Sequence, residues 1–208
     1  MEITPHMRVA VLLVLGLALH GCLFVKAPDT SVEPVNVELS PQPELDMSEE
    51  IVRTQAGDMI AQLPKGWIFL DPKGQQSTDI IALATNSDYS LTAVFSQIQH
   101  GESMKAASEQ EGMLGLARVA FARRSRKTAG TATLVGTYKT AQLGTRTFGM
   151  YDFSTSGGAL RTRCAVFTSS IGNHYEFALV PLTVGGKELP VDAEIQRTFR
   201  SILATVQY

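Results

Sequence analysis

The chain has 208 residues, with 18 lysines and arginines against 20 aspartates and glutamates, a formal charge of −2, and 44% hydrophobic residues. That length allows one domain with a sizeable core, and the near-neutral charge argues against bulk nucleic-acid binding. Two cysteines, Cys22 and Cys164, cannot form the dense disulfide framework that staples small secreted domains.

Met1 to Arg8 carries one basic side chain, Arg8, opposed by Glu2, and an apolar run follows from Val9 to Leu19. A bilayer-spanning helix needs about 20 apolar residues, so this run fits the hydrophobic region of a signal peptide instead. Leu19-His20-Gly21-Cys22 closes it and resembles the lipobox of bacterial lipoproteins, with Gly21 at the cleavage position and Cys22 as the lipidated thiol. The competing reading is an uncleaved signal anchor from Val9 to Val25, interrupted by His20. Lipidation implies stable attachment, since each buried methylene contributes about 0.8 kcal/mol and two acyl chains suffice where one does not. The implied address is the bacterial cell envelope. Leu23 stands where the sorting rule of enteric bacteria places aspartate for inner-membrane retention, so the resemblance favours the periplasmic face of the outer membrane.

Residues 22–50 change composition: Pro28, Pro34, Pro41 and Pro43 punctuate seven acidic residues and a single Lys26. Such a segment is expected to be an extended, self-repelling tether, held off anionic headgroups by its own charge. A partner-binding segment that folds on contact is the alternative.

Residues 51–208 read as one α+β domain. Strands are expected near Met59–Leu63, Ile80–Thr85, Ser90–Gln99, Thr133–Thr140, Thr145–Ser154, Leu160–Ser169 and His174–Leu182, with turn signals at Pro72-Lys73-Gly74, Asn86-Ser87-Asp88, Gly157-Gly158 and Gly172-Asn173. The short links between the last four strands predict antiparallel hairpins. A first helix is expected from Ser103 to about Arg124, with Ala107, Leu114, Ala117 and Phe121 at helical spacing. A second is expected from Ala193 to Val206 behind Asp192 as N-cap, with Ile195, Phe199, Ile202 and Val206 on one face. Strand residues Phe148 to Phe153 are apolar on both faces, which requires cover on both sides. The expected architecture is an antiparallel sheet of about six to seven strands sandwiched by helices.

The segment Gly57 to Trp67, which ends Leu63-Pro64-Lys65-Gly66-Trp67, then strands, a long helix, a strand meander and a terminal helix ending Phe199-Arg200-Ser201-Ile202-Leu203-Ala204-Thr205, resembles the Mog1/PsbP-like fold and its bacterial lipoprotein members. The resemblance covers about three quarters of the chain and rests on a short turn motif plus topology. It implies a binding or assembly role, since that family spans photosystem assembly proteins, a small-GTPase partner and envelope lipoproteins. It assigns no binding residue here.

Chemistry-bearing motifs are sparse. His6 and His20 leave with the signal peptide, and His100 and His174 stand far apart. The sequence has no His-Glu-x-x-His, Cys-x-x-Cys, phosphate-cradling glycine loop or Gly-x-Ser-x-Gly, so no metal, no cofactor and no catalytic residue is assigned. Cys164 lies in a β-like run where a lone cysteine behaves as a small buried hydrophobe, with Arg161 and Arg163 on the opposite face. Arg118, Arg123, Arg124, Arg126 and Lys127 cluster at the end of the first helix, where each cation complements the helix dipole by about 0.3–1 kcal/mol. They also form a candidate docking patch for an acidic partner or anionic envelope polymer, or a patch that pairs with the acidic tether. Trp67 marks a second candidate partner-binding position.

Three functions follow, in order. The first is a non-enzymatic, membrane-anchored binding or assembly module with an envelope protein partner. The second is a lipid or small-amphiphile binder, suggested by Ala106, Ala107, Gly112, Gly115 and Ala117 thinning one layer between helix and sheet. The third is a hydrolase, which needs a cleft with a perturbed His174 or a carboxylate pair.

Overall fold

Alternation along the strands decides the architecture, because successive side chains point to opposite faces and both faces here are apolar. The computed structural model describes residues 36–38, 40–71, 79–99, 101–155, 158, 160–184 and 188–208. They belong to a unit running from Glu33 to Tyr208. The lipobox, Cys22, the Pro72-Lys73-Gly74 turn, Gly157 and His100 lie outside the described residues.

The elements are β1 (Asn36–Glu38), β2 (Met47–Arg53), β3 (Ile60–Pro64), β4 (Ile68–Leu70), β5 (Ile80–Thr85), β6 (Leu91–Ile98), α1 (Glu102–Lys127), β7 (Thr133–Leu143), β8 (Arg146–Thr155), β9 (Leu160–Thr168), β10 (His174–Pro181) and α2 (Asp192–Thr205). Eight strands form one sheet in the order β1-β7-β8-β9-β10-β6-β5-β4, and β2 and β3 form a separate antiparallel ribbon. The hairpins expected between β7 and β10 are all present and antiparallel. The α+β class stands, but the strands outnumber the expected six to seven, and one of them, β1, pairs parallel with β7.

Three layers result. On one face, Phe95, Phe148, Phe167 and Phe177 pack beneath Ile195, Phe199 and Ile202 of α2 together with Ala61 and Leu63 of the ribbon. Phe95, Phe177 and Phe199 stack at ring separations of 4.8 and 5.1 Å, worth about 0.5–1.5 kcal/mol per pair beyond their burial. On the other face, Tyr151, Phe153, Cys164 and Val166 meet Leu116, Ala117 and Ala120 of α1. The second cover is therefore a helix plus a β-ribbon rather than a helix alone.

The acidic segment expected as tether over 22–50 is built into this unit from Asn36 onward. The Gly144 amide donates to the Glu38 carbonyl at 2.7 Å, Arg200 pairs with Glu38 at 2.9 Å, and the Glu44 amide donates to Ser201 Oγ at 3.0 Å. Met47 to Glu50, placed in the tether by composition, begin β2.

Both helices depart from expectation at their starts. The α1 N-cap is Gly101, not Ser103, and the helix runs on to Lys127, where Thr128 Oγ1 donates to the Arg124 and Ser125 carbonyls. At Gly112 the backbone leaves the helix with φ 59° and ψ −135°, so the segments on either side fold against each other. A Cβ on Gly115 would stand 2.2 Å from the Ala107 carbonyl oxygen. Ala107, Gly112 and Gly115 thus serve this close approach of two helical segments, while Ala117 packs on the sheet. The α2 N-cap is Val191; Asp192 instead uses its carboxylate to accept from Arg163 at 2.6 Å, which removes it from capping.

Candidate functional site

The turn that leads to Trp67 forms as its residues require. The Trp67 amide donates to the Pro64 carbonyl at 3.3 Å and Gly66 takes φ 81°, a conformation at turn position i+2 that glycine adopts without strain. Trp67 is half-buried and packs on the core beneath α2, so it anchors the following strand rather than presenting itself.

That strand, β4, is an edge of the eight-stranded sheet. Among the described residues it pairs with β5 alone, and Ile68, Phe69 and Leu70 are 44%, 38% and 38% exposed. Natural edge strands are usually guarded by charge, proline or a bulge, and none of these occurs within β4. Three consecutive large apolar side chains exposed on both faces of an edge that no other described strand pairs form a surface suited to an added strand.

The basic end of α1 is resolved into pairs. Arg118 binds Glu111 at 2.7 Å and lies over the Tyr138 ring at 5.9 Å. Arg123 pairs with Asp79, and Lys127 binds the same carboxylate at 3.0 Å. Arg124 turns inward to Glu176, its guanidinium 5.0 Å from the Phe153 ring centre. Arg126 is exposed and donates Nε to the Ala122 carbonyl at 3.4 Å. Four of the five cations therefore meet carboxylates of the folded body, and the tether acids with described ion pairs, Glu38 and Asp46, meet Arg200 and Lys65 instead.

Arg123, Arg124 and Lys127, with Asp79, Ser96, Thr128 and Glu176, line a cleft of about 190 Å³ between α1 and strands β5, β6 and β10. At its base Tyr151 donates to Glu176 at 3.1 Å, and burial holds the Tyr151 phenol well above its ordinary range. Cys164 is fully buried beside it, and burial pushes its thiol up to about 11, which leaves it inert as a nucleophile. The charged rim and small volume suit neither an acyl chain nor a bulky amphiphile.

On the opposite face, Asp58 in the β2–β3 turn binds four side chains. Ser169 donates at 2.6 Å, Thr54 at 2.8 Å, Asn173 at 2.9 Å, and Tyr175 at 2.8 Å. Burial works to raise the Asp58 carboxyl, but the donors from Ser169, Asn173, Thr54 and Tyr175 outweigh it and hold the group well below the usual carboxylate range. This network ties the ribbon to the β9–β10 turn. A depressed carboxylate stabilises above its unfolded pKa, about 4, and that stability is lost as pH falls through the folded value. We expect Asp58→Asn to flatten the acid limb of the stability curve below about pH 4, read by urea unfolding across pH; an unchanged limb would show that other carboxylates govern it.

The hydrolase reading needs a cleft with either His174 beside an acid or a pair of carboxylates; Asp79 and Glu176 both line the α1 cleft but are taken up by Arg123, Lys127 and Arg124. His174 pairs with Thr168 Oγ1 at 2.9 Å, while its neighbour Tyr175 faces the other way onto Asp58. Asp58 and His174 are thus on opposite faces, while Glu176, two residues on in β10, shares the His174 face and is held by Arg124 and Tyr151. Among the described residues no three His, Cys, Asp or Glu side chains gather in a set that could hold a metal ion, and no helix is long and apolar enough to cross a membrane.

The sequence does not single out Glu176, Asp79 or β4. Glu176 left one signal, since it is the sole charge in the apolar strand His174–Pro181. Asp79 left none, and three residues are too few for β4 to show a period.

No family model matches the chain, and no curated protein matches its sequence. Among solved structures, the solution structure of cyanobacterial PsbP (CyanoP) from Synechocystis sp. PCC 6803 superimposes with a TM-score of 0.50 at 13% identity, covering 76% of this chain and 92% of that one. A crystal structure from Bacteroides thetaiotaomicron aligns at TM-score 0.39 and 15% identity, and this chain covers 47% of it. With its strand meander between a long helix and a terminal one, the chain has a PsbP-like fold.

Proposed function

We propose that this chain is a non-enzymatic binding or assembly module of the bacterial cell envelope, anchored through Cys22, and that an extended segment of an envelope protein docks on β4. The observation that carries this reading is the open β4 edge, with Ile68, Phe69 and Leu70 exposed and the outer backbone groups unpaired by any described strand. An added strand gains main-chain hydrogen bonds along that edge, and alternate apolar side chains of the partner meet Phe69 on one face and Ile68 and Leu70 on the other. Cleavage before Cys22 and lipidation keep the module at a membrane surface. The arrangement of the basic residues supports the same order of preference, because four of the five are already paired within the body and leave Arg126 as the exposed remainder.

A photo-crosslinking amino acid placed at Phe69 in the lipoprotein, in its host's membranes, is expected to capture one envelope protein. The same probe at Val191, which is 69% exposed on another part of the surface, should not capture it. Identical adducts at both positions, or none at Phe69, would remove β4 as the docking edge.

A further inference from the structure

We infer that a polar groove on the ribbon side of the sheet binds the C-terminal carboxylate of a peptide through Arg53. The groove holds about 630 Å³ between the β2–β3 turn and strands β5, β6 and β10, within the size range of small-ligand sites. None of Ile68, Phe69 and Leu70 lines it, so it stands apart from the β4 edge. A bulge shapes its floor. Ile80 pairs with Ser96 and Ala82 with Phe95, so β5 carries one residue more than β6 there, and the consecutive Ile80 and Ile81 both line the groove. Bulges of this kind re-aim side chains beside binding sites.

Arg53 closes β2 and is exposed. Gly57, at φ 74° in the turn that follows, leaves room for it, since a Cβ there would stand 3.0 Å from Arg53 Nη2. The guanidinium lies against that turn, yet among the described residues it has no hydrogen bond or ion pair, whereas Arg118, Arg123, Arg124, Arg163 and Arg200 each meet a carboxylate. It is also the one charged side chain among the described residues that line the groove. The neighbouring acids are engaged elsewhere. Asp58, outside the lining, accepts from Thr54, Asn173, Tyr175 and Ser169, and Asp79, next to Ile80, is held by Arg123 and Lys127 in the α1 cleft. With Asp58 charged behind that wall, a single cation suits a monoanion rather than a phosphate dianion. A guanidinium fork engages a carboxylate through parallel N–H donors. Gln55 and Gln97 line the same groove, and their carboxamides have no hydrogen bond among the described residues. Each can donate to and accept from a peptide amide. A peptide C-terminus presents a carboxylate beside an amide and a side chain, and Ile80 and Ile81 give that side chain an apolar contact.

Full-length protein in a non-ionic detergent would be titrated calorimetrically with N-acetyl-alanyl-leucine bearing a free carboxylate, and with the same peptide amidated at its C-terminus. Saturable binding of the free acid is expected, with the amide about tenfold weaker, the scale of a charge-assisted hydrogen-bonded pair. Arg53→Gln should weaken the free acid by about the same tenfold and leave the amide unchanged. Arg53→Lys, which keeps the charge but loses the fork, should not restore the lost affinity. Phe69→Lys should bind the acid as the wild type does, which separates this site from β4. Arg53 is exposed and has no described partner, so both of its variants should melt with the wild type, and thermal melting checks the fold. Absence of saturable binding by the free acid, equal binding of the two peptides, or undiminished binding in the folded Arg53→Gln variant overturns the site.

Discussion

Glu176→Ala, which removes the least exposed acid among the described ion pairs, is expected to destabilise the fold by about 3–5 kcal/mol. The Glu176 side chain is 4% exposed and its partner Arg124 is 27% exposed, wedged between Phe153 and the β10 strand. Removing the carboxylate leaves a mostly buried guanidinium without its counter-charge and deprives Tyr151 of its acceptor. Among the described residues the other acid lining the cleft is Asp79, which already holds Arg123 and Lys127. For a domain of this size, the loss corresponds to a melting point lower by roughly 6–20 °C. The control is the pair Arg124→Met/Glu176→Leu, which removes both charges and should recover most of the loss, since apolar replacement of a buried ion pair is often neutral or stabilising. Denaturant unfolding decides it. If Glu176→Ala lies within about 1 kcal/mol of the wild type, water reaches Arg124 and the cleft is not the buried site described.

The second large effect is steric. A Cβ at Gly149 of β8 would stand 2.2 Å from the Met113 carbonyl oxygen, 3.0 Å from the Met113 carbonyl carbon and 3.0 Å from Val166 Cγ2. The obstacle is helix backbone just past the break at Gly112, so relief requires α1 to lift from the sheet. Gly149→Ala is expected to cost about 3 kcal/mol, at the upper end of overpacking effects, and to loosen the packing of Leu116, Ala117 and Ala120 on β8 and β9. Hydrogen exchange should show faster exchange in α1 than in α2, which packs on the other face. Equal acceleration in both helices would place the strain elsewhere.

What could be read from the sequence follows from periodicity and length. Strands β5 to β10 carry long alternating patterns between turn signals, and their boundaries fall within a few residues of expectation. β1 and Met47–Glu50 of β2 lie in a proline-rich acidic run, where composition speaks for a solvated chain; pairing with β7 and β3 overrides it. The break at Gly112 was illegible because the apolar spacing continues on both sides of it, and only the contact of Gly115 with the Ala107 carbonyl shows the fold-back. The arginine cluster was visible as a cluster. Its partners were not, since Asp79 lies 44 residues from Arg123 and Glu176 lies 52 from Arg124, and separations of that size are set by topology. The opposition of Cys164 to Arg161 and Arg163 needed only the two-residue period of a strand, and the structure has it: Cys164 faces α1, while both arginines face Asp152 on the α2 side.

The most direct test of the binding role is the composition of the complex recovered from native membranes. Tagged full-length protein would be purified from its host in mild detergent beside Phe69→Lys, which places the charge that guarded edge strands carry at a side chain already 38% exposed. One envelope protein at near-equal amount with the wild type, and its loss from the equally stable Phe69→Lys variant, is the result expected. A wild-type protein that elutes alone, or a partner retained by Phe69→Lys, would contradict a docking role for β4.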